Sequence, residues 1–150
     1  MRYFLLCSIA FALLAACSKN DQEAADFGTR PITMPDGRTV LAETAISMEE
    51  LMRGLMFRSS LAPDHGMLFL HNQLGKYGYW MFNVQIPLDI IWMDSQKIVV
   101  EISANTPPCK AAKASQCPTH GGTQKSQFVL ELAAGQAARY KVIVGSRIDF

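Results

Sequence analysis

The sequence has almost no excess of either charge, since 14 lysines and arginines stand against 13 aspartates and glutamates. The basic residues are scattered along the chain and form no cluster. A protein that binds nucleic acid through phosphate contacts carries a basic patch, so the sequence predicts no nucleic-acid partner. The scattered charges also give no reason to expect electrostatic attraction to a membrane surface.

The chain also lacks the short motifs that mark common catalytic and cofactor sites. It has no P-loop, no dinucleotide-binding glycine fingerprint and no Gly-x-Ser-x-Gly nucleophile turn. Its three histidines, His65, His71 and His120, do not fall at the spacings that place two metal ligands on one helix face. We therefore expect no cofactor and no metal site.

Long apolar runs are missing except at the amino terminus, and that run is too short for a permanent membrane span. Arg2 precedes an apolar stretch over residues 4–14. A spanning helix needs about 20 apolar residues, whereas a cleaved signal peptide needs about 7–15. The Leu-Ala-Ala-Cys sequence at 14–17 resembles a bacterial lipobox, in which Cys17 receives the lipid. An ordinary secretory peptide cut after Ala16 is the alternative.

These features predict an exported lipoprotein with three parts. Residues 1–16 are the signal peptide, 17–29 a flexible tether and 30–150 a single domain. The membrane is then a partner through acyl chains on Cys17, because stable anchoring takes more than one chain. Ser18 stands where enterobacteria-like inner-membrane lipoproteins carry aspartate. We therefore expect the outer membrane, with the domain facing the periplasm.

Cysteine is scarce, and two of the four cysteines are explained by the amino terminus. Cys7 lies in the signal peptide and Cys17 is the lipid site, which leaves Cys109 and Cys117. Their spacing is neither a C-x-x-C redox motif nor half of a zinc ribbon. In an oxidising compartment the pair predicts a structural disulfide. Closing this loop would stabilise the domain by roughly 2.5 kcal/mol.

One helix stands out in the domain. Ser47 and Glu50 fit a capping box, and we expect the helix to end near Met56. Apolar side chains follow at helical spacing, which predicts a single stripe packed into the core rather than a copper site. The stripe consists of Met48, Leu51, Met52 and Leu55.

The remainder of the domain has the pattern of short strands. Seven or eight strands and one helix in roughly 120 residues predict a mainly β fold, either a β-sandwich or a compact barrel. With a single helix available as a crossover, we expect no parallel βαβ unit. The segment 104–125, which contains the cysteine pair, is long enough to predict a functional loop.

Five ordered segments resemble the domain of unknown function 192 family, and the resemblance covers about residues 30–150. The segments are 53–58 (RGLMFR), 64–69 (DHGMLF), 80–83 (WMFN), 86–91 (IPLDII) and 130–135 (LELAAG). The resemblance implies a jelly-roll-like β-sandwich, whereas the family has no established biochemical function. Val84 replaces the family's usual threonine, and Ser146 replaces an aspartate.

A charged residue on an apolar strand indicates the candidate pocket. Asp89 lies on an otherwise apolar strand face, where a charge needs partners. If the strands pair across the 85–87 loop, Asn83 lies opposite Asp89, and Arg58 is the candidate cation. The three could form a ligand-binding pocket rimmed by Tyr79 and Trp80, or an ion-pair cluster that fixes the sheet. We favour the structural cluster, because such networks are common.

Two classes of function therefore remain. The first, which we favour, is a non-enzymatic envelope module that binds a glycan, another ligand or a partner protein. The alternative is a hydrolase or lyase acting on envelope carbohydrate, with Asp89 and either Asp64 or His65 as acid and base. A β scaffold hosts both classes, so fold does not decide between them. Two carboxyl groups at glycosidase separation in a cleft would favour the enzyme.

Overall fold

The structure is a computed structural model that describes residues 28–150. The predicted signal peptide, the predicted lipid site Cys17 and most of the predicted tether lie outside the described residues. The first strand begins at Thr29, one residue before the predicted domain boundary.

Six strands form a single mixed sheet. They are β1 (Thr29–Thr33), β2 (Thr39–Ala45), β3 (His65–Gly75), β4 (Leu88–Met93), β5 (Val99–Thr106) and β6 (Ser126–Ala133). Their order in the sheet is β1-β2-β3-β6-β4-β5. Between residues 28 and 150 there are two short α-helices, α1 (Met48–Arg53) and α2 (Gln136–Arg139). The predicted mainly β class is confirmed, and the sheet is open rather than closed into a barrel.

The pairing of β2 with β3 corrects one expectation. These neighbours are parallel, with Leu41 opposite His65 and Ala45 opposite Phe69, whereas the other strand pairs are antiparallel. The chain crosses over through residues 46–64, which contain α1. The expectation of no βαβ unit is therefore wrong, because one helix is enough for one crossover.

Helix α1 begins where the sequence predicts and ends earlier. The Ser47 hydroxyl accepts the backbone N–H of Glu50, and the Glu50 carboxylate accepts the backbone N–H of Ser47. This is the predicted capping box, and it is confirmed. Gly54 ends the helix with a φ of 45°, before the predicted end at Met56. A left-handed φ is readily adopted by glycine and stops the helical hydrogen-bond ladder.

The apolar stripe of α1 packs into the core only in part, because Leu55 is buried and Leu51 packs against the same cluster, whereas the two methionines do not. None of the residues of α1 is buried. Met48 is 75% exposed and Met52 is 49% exposed, whereas Leu55, beyond the helix end, is buried. The periodicity correctly predicted an apolar face, but its two methionines border a surface cleft instead of the core.

Each face of the sheet is covered by its own hydrophobic cluster. All six residues of β4 are buried, and its apolar side chains are divided between the two clusters. Ile91 and Met93 pack on the side of α2, whereas Ile90 and Trp92 pack on the opposite side.

The predicted disulfide between Cys109 and Cys117 is confirmed, with the two Cα atoms 5.7 Å apart. Its loop is attached to the segment 79–82 by backbone hydrogen bonds. Tyr79 and His120 exchange two such bonds at 2.9 and 2.7 Å, and the Cys109 N–H donates to the carbonyl of Met81 at 3.0 Å. The loop therefore positions the segment that contains Tyr79 and Trp80.

Candidate ligand-binding cleft

Asp89 is buried as predicted, with 1% of its surface exposed, but its partners are backbone amides. One carboxylate oxygen accepts the N–H of Asn105 at 2.8 Å, and the other accepts the N–H of Ala137 at 2.8 Å. Asp89 therefore links β4 to β5 and to the start of α2. The amide donors supply the compensation that a buried carboxylate needs.

The predicted cluster of Asp89 with Asn83 and Arg58 is wrong. Both edges of β4 are occupied, by β5 and β6, so the segment containing Asn83 has no edge on which to pair. Arg58 instead forms a bidentate ion pair with Glu43, at 2.5 and 2.6 Å. This ion pair raises the pKa of Arg58. Asn83 adopts a φ of 56°, and its carbonyl accepts the N–H of Phe57 at 2.8 Å.

The residues considered for acid–base catalysis are also engaged elsewhere. Asp64 lies 2.9 Å from the Nδ1 atom of His65, and both side chains are at the surface. Asp89 has both oxygens held by backbone N–H groups. This arrangement assigns Asp89 a structural role, and it gives no support to acid–base chemistry by these residues.

The two remaining predicted pocket residues, Tyr79 and Trp80, do line a cleft. The cleft lies between α1 and the segment 77–80 and has a volume of about 350 Å³. We call it the α1 cleft. Its walls are mainly methionine, leucine and aromatic side chains: Met48, Leu51, Met52, His71, Tyr77, Tyr79 and Trp80.

A smaller cavity lies at the floor of the α1 cleft and contains a carboxyl group. It has a volume of about 30 Å³ and shares Leu51, Met52, Tyr79 and Trp80 with the cleft above. Its charged lining residues are Arg53 of α1 and Glu131 of β6, and Glu131 is only 4% exposed. In the neighbouring strands the residues opposite Glu131 are apolar, namely Met67 of β3 and Ile90 of β4.

Glu131 differs from Asp89 in having no partner within the part of the chain that the structure describes. Neither a hydrogen bond nor an ion pair reaches its carboxyl from residues 28–150. Burial raises the pKa of Glu131 to about 8. The carboxyl is therefore mostly protonated and neutral at pH 7, where an ordinary glutamate is ionised.

The aromatic wall above Glu131 is packed and held by a hydrogen bond. The ring of Tyr79 makes edge contacts with Phe69 and Trp92, with centroids 5.1 and 5.9 Å apart. Its hydroxyl lies 3.1 Å from Nε2 of His71, whose ring stacks on Tyr77. Burial, and secondarily the charge of Glu131, raise the pKa of Tyr79. Burial lowers the pKa of His71, so both groups favour their neutral forms.

Comparison with known proteins identifies the family. The model of DUF192, described as "Uncharacterized ACR", matches residues 32–150. The chain belongs to the DUF192 family. A protein of unknown function from Novosphingobium aromaticivorans DSM 12444 is 30% identical, with a TM-score of 0.74 over 85% of this chain and 89% of that one. No curated protein matches the chain.

A second solved structure has a similar fold. It is described as a "putative transcription regulator" from Sinorhizobium meliloti 1021. It is 30% identical, and the alignment covers 82% of this chain and 94% of that one with a TM-score of 0.72. The shared fold therefore extends over most of the length of both relatives.

The described part of the DUF192 domain contains neither a cluster of metal ligands nor a membrane-spanning helix. Within residues 28–150, no three His, Cys, Asp or Glu side chains are arranged to hold a metal ion. Over the same residues, none of the helices combines the length and the apolar character that crossing a membrane requires.

Sequence reasoning missed Glu131, although the residue lies in one of the segments that resemble DUF192. The stretch 128–132 (FVLEL) places this glutamate within an apolar strand. Glu131 shares the feature that marks Asp89, since a carboxyl on an apolar strand needs partners when it is buried. That signal was available in the sequence. The sequence does not show that the carboxyl lacks a partner, because this depends on which groups surround it in the fold.

Proposed function

We propose that the protein is an exported lipoprotein, anchored through Cys17, whose DUF192 domain binds a ligand in the α1 cleft. The observation that carries the binding role is the exposed apolar surface around a buried, unpartnered carboxyl. Met48 and Met52 of α1 remain exposed although the helix is amphipathic. Ligand sites combine largely apolar walls with a few well-placed polar groups, and the α1 cleft has this composition.

The apolar surface extends beyond the cleft. A neighbouring open depression shares Met52 and Trp80 with it and includes Phe57, which is exposed. Contiguous exposed apolar surface commonly marks an interaction site. Methionine adapts its shape to different apolar partners, which suits a wall that receives a ligand. We therefore expect an apolar ligand body to lie along α1 and Trp80.

A neutral apolar dye tests the binding role. N-phenyl-1-naphthylamine should bind the mature chain carrying Cys17→Ser with a rise in fluorescence. Met52→Glu should weaken this binding at least about tenfold, because a charge would lie in the apolar wall. Ile143→Glu is the matched control, since Ile143 is also exposed but does not line the cleft. Equal dye binding by the Met52 variant and wild type would contradict the proposal.

Metabolic labelling tests the anchor. Labelled fatty acid should be incorporated into the wild-type protein and not into Cys17→Ser, because the lipid is carried by the Cys17 thiol. Cys7→Ser, within the proposed signal peptide, is the control and should be labelled normally. Lipid labelling of Cys17→Ser at the wild-type level would refute the anchoring site.

A further inference from the structure

The buried carboxyl of Glu131 lacks a counterpart in the described part of the chain. Buried polar groups in proteins are nearly always paired, and Asp89 shows how this chain does so with two backbone N–H donors. Glu131 is almost as buried and has no such donor within residues 28–150. Its carboxyl lines the floor of a cleft that opens to solvent at Trp80. A partner for Glu131 can therefore enter through the α1 cleft.

We propose that the α1 cleft binds an organic amine, whose ammonium group pairs with Glu131 at the floor while its apolar body lies along α1. This inference rests on the proposed binding function and specifies the ligand class. An ammonium supplies both the charge and the hydrogen-bond donors that the carboxyl lacks.

The walls suit a cation with an apolar body. Tyr79 and Trp80 line both the cleft and the floor cavity, and aromatic rings attract cations through their faces. The floor cavity of about 30 Å³ has room for one small group. The cleft of about 350 Å³ above it has room for an alkyl or aromatic chain.

None of the charged groups around Glu131 within residues 28–150 forms an ion pair with its carboxyl, so a ligand can supply the ammonium partner. From α1, Arg53 lines the floor cavity, but no ion pair joins it to Glu131. From β3 and β4 the facing residues are apolar. From the segment 77–80, Tyr79 lines the same cavity as Glu131, and its hydroxyl lies 3.1 Å from Nε2 of His71. Burial keeps the Glu131 carboxyl protonated up to a pKa of about 8, so pairing with an ammonium should release its proton.

Calorimetry with two matched probes tests the proposal on the unlipidated mature chain carrying Cys17→Ser. Hexylamine is the cationic probe and hexanol the neutral one. Only ionised Glu131 pairs with the amine, so hexylamine affinity should rise about tenfold per pH unit from pH 6 to 8 and then level off. Titrations in buffers of different ionisation enthalpy should show about one proton released at pH 6–7. Hexanol affinity should not vary in this way.

Two variants distinguish a specific pairing with Glu131 from a general attraction of the amine to negative charge near the cleft. Glu131→Gln should bind hexylamine at least about tenfold more weakly at pH 8, without proton release, and should retain hexanol binding. Glu49→Gln removes an exposed carboxylate beside the cleft and should behave like wild type. If Glu131→Gln does not fold, the proton count on the wild-type chain still decides the question.

The possible failures are distinguishable. Hexylamine binding without pH dependence or proton release, or hexanol binding alone, would overturn the amine proposal and leave the binding cleft in place. Binding of neither probe to folded protein would overturn both. If Nα-acetyl-lysine methylamide binds more tightly than hexylamine, the natural source of the amine is a lysine side chain. The reverse order points to a free amine, and either order supports the proposed chemistry.

Discussion

Replacing Glu131 with glutamine should remove a pH-dependent loss of stability from the domain. Burial raises the pKa of this carboxyl from 4.5 to about 8 in the folded chain. Between these two pH values the folded chain holds a proton that the unfolded chain has released. The free energy of unfolding therefore falls as the pH rises, beginning near the unfolded pKa and ending above the folded one.

The expected size of this effect follows from the shift. At about 1.4 kcal/mol per pKa unit, a rise from 4.5 to about 8 corresponds to roughly 5 kcal/mol between the two plateaus. Small domains are stable by about 5–15 kcal/mol in total, so the change is easily measured. Glutamine has nearly the same shape and does not ionise, so the variant should lack this contribution.

Urea unfolding at pH 5, 7 and 9, followed by tryptophan fluorescence, measures the effect. The quantity of interest is the stability of Glu131→Gln minus that of wild type, because other titrating groups then cancel. This difference should increase with pH by several kcal/mol. The exposed residue Glu49, changed to glutamine, is the control and should give a nearly constant difference. Parallel pH profiles for wild type and Glu131→Gln would refute the reasoning.

Three further predictions concern the scaffold. Asp89→Asn should cost about 2–3 kcal/mol in urea unfolding because a buried N–H loses its acceptor. Arg58 pairs with Glu43 and not with Asp89, so the costs of Asp89→Asn and Arg58→Met should be additive: the double variant should lose the sum of the two single costs to within about 0.5 kcal/mol. Strong coupling between the two positions would contradict the observed contacts. Gly121→Ala should lower the melting temperature more than Gly37→Ala does. Both glycines have a positive φ, but only at Gly121 would the new Cβ atom lie 2.4 Å from the Trp92 ring. Equal thermal shifts for the two variants would argue against this packing. Reducing the disulfide should lower stability by roughly 2.5 kcal/mol, and detection of two free thiols before reduction would refute the bond.

Local interactions explain the features that the sequence determined by itself. The start of α1 depends on Ser47 and Glu50, three residues apart, so the cap forms whatever surrounds the helix. The disulfide followed from having one cysteine pair in the domain, eight residues apart. The alternation along β4 follows from the period of a strand, which places Ile90 and Ile91 on opposite faces.

Tertiary structure decided which elements became neighbours, and periodicity carries no information about that choice. The parallel pairing of β2 with β3 and the occupation of both β4 edges left Asn83 away from Asp89. The same placement turned the two methionines of the apolar stripe of α1 toward a cleft rather than the core. Asp89 and Glu131 look alike in the sequence, as single carboxylates on apolar strands. They differ because backbone N–H groups reach one of them, whereas the other lines a cavity in which no hydrogen-bond donor within residues 28–150 reaches it.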